Sequence, residues 1–182
     1  MLLVALGAVL AVSLGLGLTR PGAPATPRYG PIPAWIPRSP VPVGRVVTAT
    51  PAHRWLAVEG DTVVADLAHA HTVVTAVGPA VPEEGAFPVP ATSPCTFTVT
   101  FARTAGAVPL GAGVFTITDE QGGLHHPLVS LPGGVPLPAR LPPGRSLTLT
   151  LSAVLPTGSG TLHWTPVGTQ PLVSWDFDVE ID

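Results

Sequence analysis

Seven consecutive residues, Cys95-Thr96-Phe97-Thr98-Val99-Thr100-Phe101, alternate strictly between apolar and hydroxylated side chains. Successive side chains of a β-strand point to opposite faces, so this stretch has one dry face and one wet face. A helix offers no such division. Thr suits the wet face because its branched Cβ favours extended backbone and its hydroxyl stays hydrated. The pattern recurs in Val114–Asp119, where Phe115 and Ile117 alternate with Val114, Thr116 and Thr118, and in Ser146–Ser152, with Leu147, Leu149 and Leu151. It recurs again in Trp175–Asp182, where Trp175, Phe177, Val179 and Ile181 alternate with Asp176, Asp178, Glu180 and Asp182. Segments of period two with turn residues between them predict an all-β fold, two antiparallel sheets packed face to face.

Composition agrees. The 24 Pro and 20 Gly suit short strands and tight turns better than helices. Charged residues make up only 10% of the chain, against about 25% in an ordinary soluble protein, so solubility leans on Thr, Ser and exposed backbone. The absence of Asn and Lys reads as codon bias, and it removes any N-glycosylation acceptor. Residues 1–44 carry Arg20, Arg28 and Arg38 and no acid, a balance of +3, whereas residues 45–182 carry five Arg against eleven acids, a balance of −6. A mildly acidic domain without a basic patch argues against nucleic acid as a partner. The single cysteine, Cys95, has no intramolecular disulfide partner. On the dry face it reads as a small buried hydrophobe; an intermolecular bridge needs it exposed.

Three segments follow in order. In residues 1–18, Leu2 to Leu18 are apolar apart from Ser13. At about 1.5 Å per residue these seventeen span roughly 26 Å, which fits a transmembrane signal-anchor or a long signal-peptide core. Ala23-Pro24-Ala25 offers a poor cleavage site, and no cysteine lies near for lipoprotein processing. Only the terminal amine precedes the apolar run and Arg20 follows it, the reverse of the usual bias for an exported domain; either a basic leader lies upstream of Met1 or the bias is weakly obeyed, and the former is the expectation. Residues 19–44 hold eight prolines and read as an extended, polyproline-like stalk. Tyr29, Ile32, Trp35 and Ile36 within it are either a strap onto the domain or a contact surface. Residues 45–182 are the β domain. Short strands are expected at Arg45–Thr50, Trp55–Glu59, Thr62–Leu67 and Thr72–Val77. A turn is expected at Gly60-Asp61, a helical turn is an option over Asp66–His71, and a long Pro-rich loop over Gly78–Pro94 holds Glu83 and Glu84. Further turns are expected at Gly122-Gly123, at Pro142-Pro143-Gly144 and at Thr157–Gly160.

A membrane-targeting run, a Pro-rich spacer, the Thr96–Phe101 strand, Phe115-Thr-Ile-Thr-Asp119-Glu-Gln-Gly122 with a His-Pro after it, Leu141-Pro-Pro-Gly144 before a Leu/Thr strand, and a final Trp-containing strand follow one another here. In this order they resemble the secreted immunoglobulin-like β-sandwich proteins of actinobacteria, the group of the mycobacterial immunoprotective extracellular antigen. The resemblance covers roughly residues 45–182. It implies an immunoglobulin-like antiparallel β-sandwich exported to the envelope, and it carries over no catalytic residues.

Groups with possible chemistry are few. His69 and His71 fall on one face of a strand, His125 and His126 in a loop, and His53 and His163 elsewhere. Three or four of them meeting at one point would hold zinc or copper; scattered, they are ordinary surface histidines. A blue-copper site is excluded, since Met1 is the only methionine and no Cys-to-His loop follows Cys95. Asp176, Asp178, Glu180 and Asp182 share a strand face and sit farther apart than one calcium ion needs, so they read as a solvated face guarding a sheet edge. No Gly-x-Ser-x-Gly elbow, Walker loop or dinucleotide fingerprint occurs. Trp164 and Trp175 fall on core registers. The expectation is a non-catalytic extracytoplasmic binding or structural module of the cell envelope. It is tethered through residues 2–18 or, if the leader is cleaved, secreted, and it meets an envelope protein or surface component without a cofactor. The alternative is metal handling through His69, His71, His125 and His126.

Overall fold

In a computed structural model, residues 44–82, 88 and 90–179 are described. All belong to the unit Val41–Asp182. The expected leader, the stalk as far as Val43, Glu83, Glu84, Glu180 and Asp182 lie outside them.

The strands in chain order are β1 (Val46–Ala49), β2 (Trp55–Val58), β3 (Thr62–Leu67), β4 (Ala70–Ala80), β5 (Thr92–Gly106), β6 (Val108–Pro109), β7 (Phe115–Asp119), β8 (Leu124–His125), β9 (Leu128–Ser130), β10 (Arg140–Leu141), β11 (Leu147–Pro156), β12 (Gly158–Trp164) and β13 (Val173–Val179). They form an all-β sandwich. Sheet one has the order β1-β3-β4-β5-β11-β9, sheet two the order β2-β13-β12-β7-β8, and β6 pairs with β10 as a short ribbon.

The alternating stretch does what its pattern requires. Cys95, Phe97, Val99 and Phe101 are buried, while Thr96 and Thr98 are exposed. β5 faces the other sheet directly: Phe97 meets Phe177 edge-on at 4.8 Å, and Phe101 meets Trp164 at 5.4 Å and Phe115 at 6.5 Å. Such T-shaped pairs add about 0.5–1.5 kcal/mol each to the burial of the rings. Trp164 and Trp175 lie in the core, as their registers predict.

The structure departs from the expected plan in four places. The sheets are not purely antiparallel, because β1 runs parallel to β3 and β2 parallel to β13. Parallel neighbours need a crossover, and the chain supplies one by crossing to sheet two for β2 between β1 and β3. Asp66–His71 is not a helical turn: β3 and β4 form a tight hairpin with Leu67 opposite Ala70. The loop after Gly78 is shorter than expected, since β4 continues to Ala80 across a register shift and β5 already begins at Thr92. Finally, Thr157–Gly160 is mostly strand. β11 ends at Pro156 in sheet one and β12 begins at Gly158 in sheet two, so a single residue carries the chain between sheets. Gly158 permits this with φ +127°, a conformation open to a residue without Cβ.

Gly160 serves a different purpose. It stands opposite Phe177 across the β12–β13 ladder, and the Phe177 ring fills the space a Cβ would take. The bare backbone leaves room for the tip of the Phe177 ring, which also meets Phe97 edge-on. Gly160→Ala should therefore destabilise the sandwich by about 1–3 kcal/mol through overpacking, read as a lower denaturant midpoint at unchanged slope. An unchanged midpoint would show that Phe177 has room to move.

Candidate functional site

The outer face of sheet two is built by the same alternation that fills the core. With Trp175 and Phe177 inward, Ser174, Asp176 and Asp178 point out. The β12–β13 register sets His163 opposite Ser174, Thr161 opposite Asp176 and Ser159 opposite Asp178, and Thr118 of β7 lies across from Thr161. His163 is clamped here. Its Nδ1 is 2.7 Å from the Ser174 hydroxyl, and its Nε2 is 3.1 Å from the Thr118 hydroxyl. Thr161 donates to Asp176 Oδ1 at 3.1 Å. Burial pushes the His163 imidazole pKa down, and the Asp176 charge partly opposes this. A neutral imidazole suits two hydroxyls, since each can donate or accept as the tautomer requires. A hydroxyl on a basic imidazole is the first half of an activated nucleophile. The second half, a carboxylate orienting the ring, is replaced here by Thr118.

At the end of β7 the chain turns on Asp119. Its Oδ1 accepts from the Gly123 amide at 2.7 Å and the Gln121 amide at 3.0 Å, and its Oδ2 is 2.8 Å from His125 Nε2. This is why Asp-x-x-Gly makes the turn: the carboxylate takes up amides the bend leaves free. The His125 bond, then the Gly123 amide, hold the Asp119 carboxyl below the usual range.

Between these features the surface dips into an open groove of about 880 Å³. Five carboxylates line it: Glu59 at the end of β2, Asp119 and Glu120 at the end of β7, and Asp176 and Asp178 on β13. Pro79–Val81 of sheet one forms its other wall. Two of these acids belong to the face anticipated from sequence, but that face does not guard an edge, because β13 lies between β2 and β12. Glu59, Asp119 and Glu120 were not expected beside them. Their convergence depends on which strands are neighbours, and no local spacing records that.

The histidines are divided. His69 is exposed in the β3–β4 turn, and only His71 is on a strand, half-buried and paired with Asp66 and Ala105. His125 and the exposed His126 follow the β7–β8 turn at the opposite end of the sandwich. His53 lies 5.8 Å from the half-buried Trp55, over which Arg45 also sits at 5.6 Å. Among the described residues no three His, Cys, Asp or Glu are grouped to hold a metal ion. Cys95 is 1% exposed, with its Sγ 3.5 Å from the Ser93 carbonyl, and burial pushes its thiol pKa up.

No protein-family model matches the chain, and no curated protein matches it. Among solved structures it is similar to MPT63, a secreted protein from Mycobacterium tuberculosis, with a TM-score of 0.43 and 16% identity, covering 69% of this chain and 99% of that one. It is also similar to YcdA, a candidate lipoprotein from Bacillus subtilis, with a TM-score of 0.41 and 12% identity, covering 59% of this chain and 36% of that one.

Two outcomes test this geometry. A depressed carboxyl favours the fold above the ordinary range near pH 4 and ceases to do so as pH falls through its folded value. His125→Ala should thus move the Asp119 titration up toward that range, followed by carboxyl NMR; an unmoved midpoint would show that the amides alone hold it. The Cys95 thiol should react with a thiol reagent only as fast as the protein unfolds, and prompt labelling of the native protein would contradict its burial.

Proposed function

We propose that this protein is a non-catalytic, extracytoplasmic, immunoglobulin-like module of the cell envelope, tethered or secreted, that works by binding at an exposed surface. The observation that carries the reading is the open carboxylate groove on a sandwich whose core is filled by its own side chains. Among the described residues, the one arrangement that approaches catalytic grammar, Ser174 with His163, is tied into a hydroxyl network on an open sheet face. Recognition by a rigid, pre-formed surface loses little ordering entropy on binding, which favours a module built from strands. The apolar run Leu2–Leu18 and the Pro-rich residues after it support export.

The test has two parts. Alkaline phosphatase, which matures only outside the cytoplasm, fused after Asp182 should be active in intact cells; an inactive fusion at normal abundance would overturn the location. The full chain should show no hydrolysis of ester, phosphoester, peptide or glycoside probes. Turnover that vanishes in both Ser174→Ala and His163→Ala would overturn the non-catalytic reading.

A further inference from the structure

The charges of the sandwich sort by end. One end gathers the β1–β2 and β3–β4 turns, the close of β5, the β6–β10 ribbon and the start of β11. The parallel β1–β3 register, ending at Ala49–Ala65, brings the β1–β2 turn to this end, and the pairs Leu67–Ala70 and Ala70–Gly106 join the β3–β4 turn to the close of β5. The Gly144 amide, bonded to the Thr104 carbonyl at 2.7 Å, adds the β10–β11 turn, and the Arg140–Pro109 pair adds the ribbon. Arg54, Arg103, Arg140 and Arg145 all lie here, all exposed, with Asp66 the one carboxylate among the described residues of this end. Arg103 occupies the β5 bulge at φ 52°. Carried two residues on from the Leu147–Phe101 pair, the register sets Arg145 beside it.

Among the described residues, the opposite end holds Glu59, Asp61, Asp119, Glu120, Asp176 and Asp178, with Arg45 the one arginine. That arginine is already engaged, its Nη2 3.1 Å from Asp61. Among the described residues the ion pairs are Arg45–Asp61 and His125–Asp119, both at the carboxylate end. Among the described residues, therefore, the four arginines of the other end have no carboxylate in pairing distance, and no arginine lines the groove.

We propose that the groove takes the arginine end of a second copy of this chain, so that copies associate head to tail. One body carries both complementary surfaces at opposite ends of its strands. A contact between two different patches does not close on itself as a two-fold dimer does; it leaves a free groove and a free arginine end, and the array extends. Exposed charges set its strength, so salt dissolves it. This names the occupant of the groove and rests on the reading of the groove as a binding surface. A monomeric protein that is still exported and without turnover overturns the self-association alone.

The experiment uses the full chain in a non-ionic detergent, with mass measured by sedimentation. At about 20 mM salt the wild type should populate dimers and longer arrays, and at about 500 mM, where screening acts within a few ångströms, it should be monomeric. A groove variant, Glu59→Gln with Glu120→Gln and Asp178→Asn, should be monomeric alone, and so should an end variant, Arg103→Gln with Arg145→Gln. Each retains the surface the other lacks, so an equal mixture should form 1:1 dimers and nothing longer. This rescue separates lost association from lost folding. If either variant misfolds by circular dichroism, the single changes Glu120→Gln and Arg145→Gln are used in the same mixing scheme. A wild type monomeric at low salt, variants that associate like the wild type, or folded variants that fail to pair when mixed would each overturn the proposal.

Discussion

A carboxylate removed from water must be met by donors, and Asp61, 1% exposed, is met by three. Its Oδ1 accepts from the Arg45 amide at 3.1 Å, its Oδ2 from the Arg45 guanidinium at 3.1 Å and from the Val58 amide at 3.4 Å. Its own carbonyl accepts from the Trp175 indole at 3.4 Å. One residue thereby joins the chain just before β1 and the start of β3 in sheet one to the end of β2 and the centre of β13 in sheet two. Arg45, 46% exposed, keeps part of its hydration and rests on Trp55, so the pair avoids much of the desolvation cost of a fully buried ion pair. The two parallel pairings depend on this corner, since it fixes where the chain leaves one sheet and joins the other.

What could be read from the chain was whatever a strand writes in period two. Phe97, Phe101, Phe115, Leu149, Leu151, Trp175 and Phe177 all lie buried on the faces their alternation assigns. Cys95 behaves as the small hydrophobe its position implies. The turns at Gly60, Asp119–Gly123 and Pro143-Gly144 were visible because their conformations demand particular residues. What could not be read was adjacency. Nothing in Trp55–Val58 announces that it will lie along Val173–Asp176, more than a hundred residues away. Without that pairing, Glu59 and Asp178 have no reason to line one groove. The histidines failed to converge for the same reason: His71 follows the β3–β4 turn and His125 the β7–β8 turn, at opposite ends, a distance the spacing of residues along the chain does not encode.

The low charge content also takes on a physical meaning. Outer faces are dressed with Thr and Ser, whose hydroxyls pair across strands, as in Thr62–Thr75 at 3.0 Å and Thr100–Thr148 at 3.4 Å. Cross-strand pairs of this kind stabilise a sheet modestly without adding charge. Against so neutral a background a few charges define the field, and their sorting to the two ends gives the molecule a polarity along its strands that a more heavily charged surface would mask.

The parallel placement of β1 beside β3 carries a mechanical consequence. The chain reaches the sandwich at Gly44 and runs from the carboxylate end along β1, whose four residues Val46, Val47, Thr48 and Ala49 pair in step with Thr62, Val63, Val64 and Ala65. Tension applied at Gly44 and resisted at the arginine end acts along the strand axis, so it shears the ladder and loads these rungs together. An antiparallel hairpin pulled from its open end would yield one rung at a time. The same four residues that are a modest edge under thermal unfolding thus form the clamp through which the sandwich bears a pull.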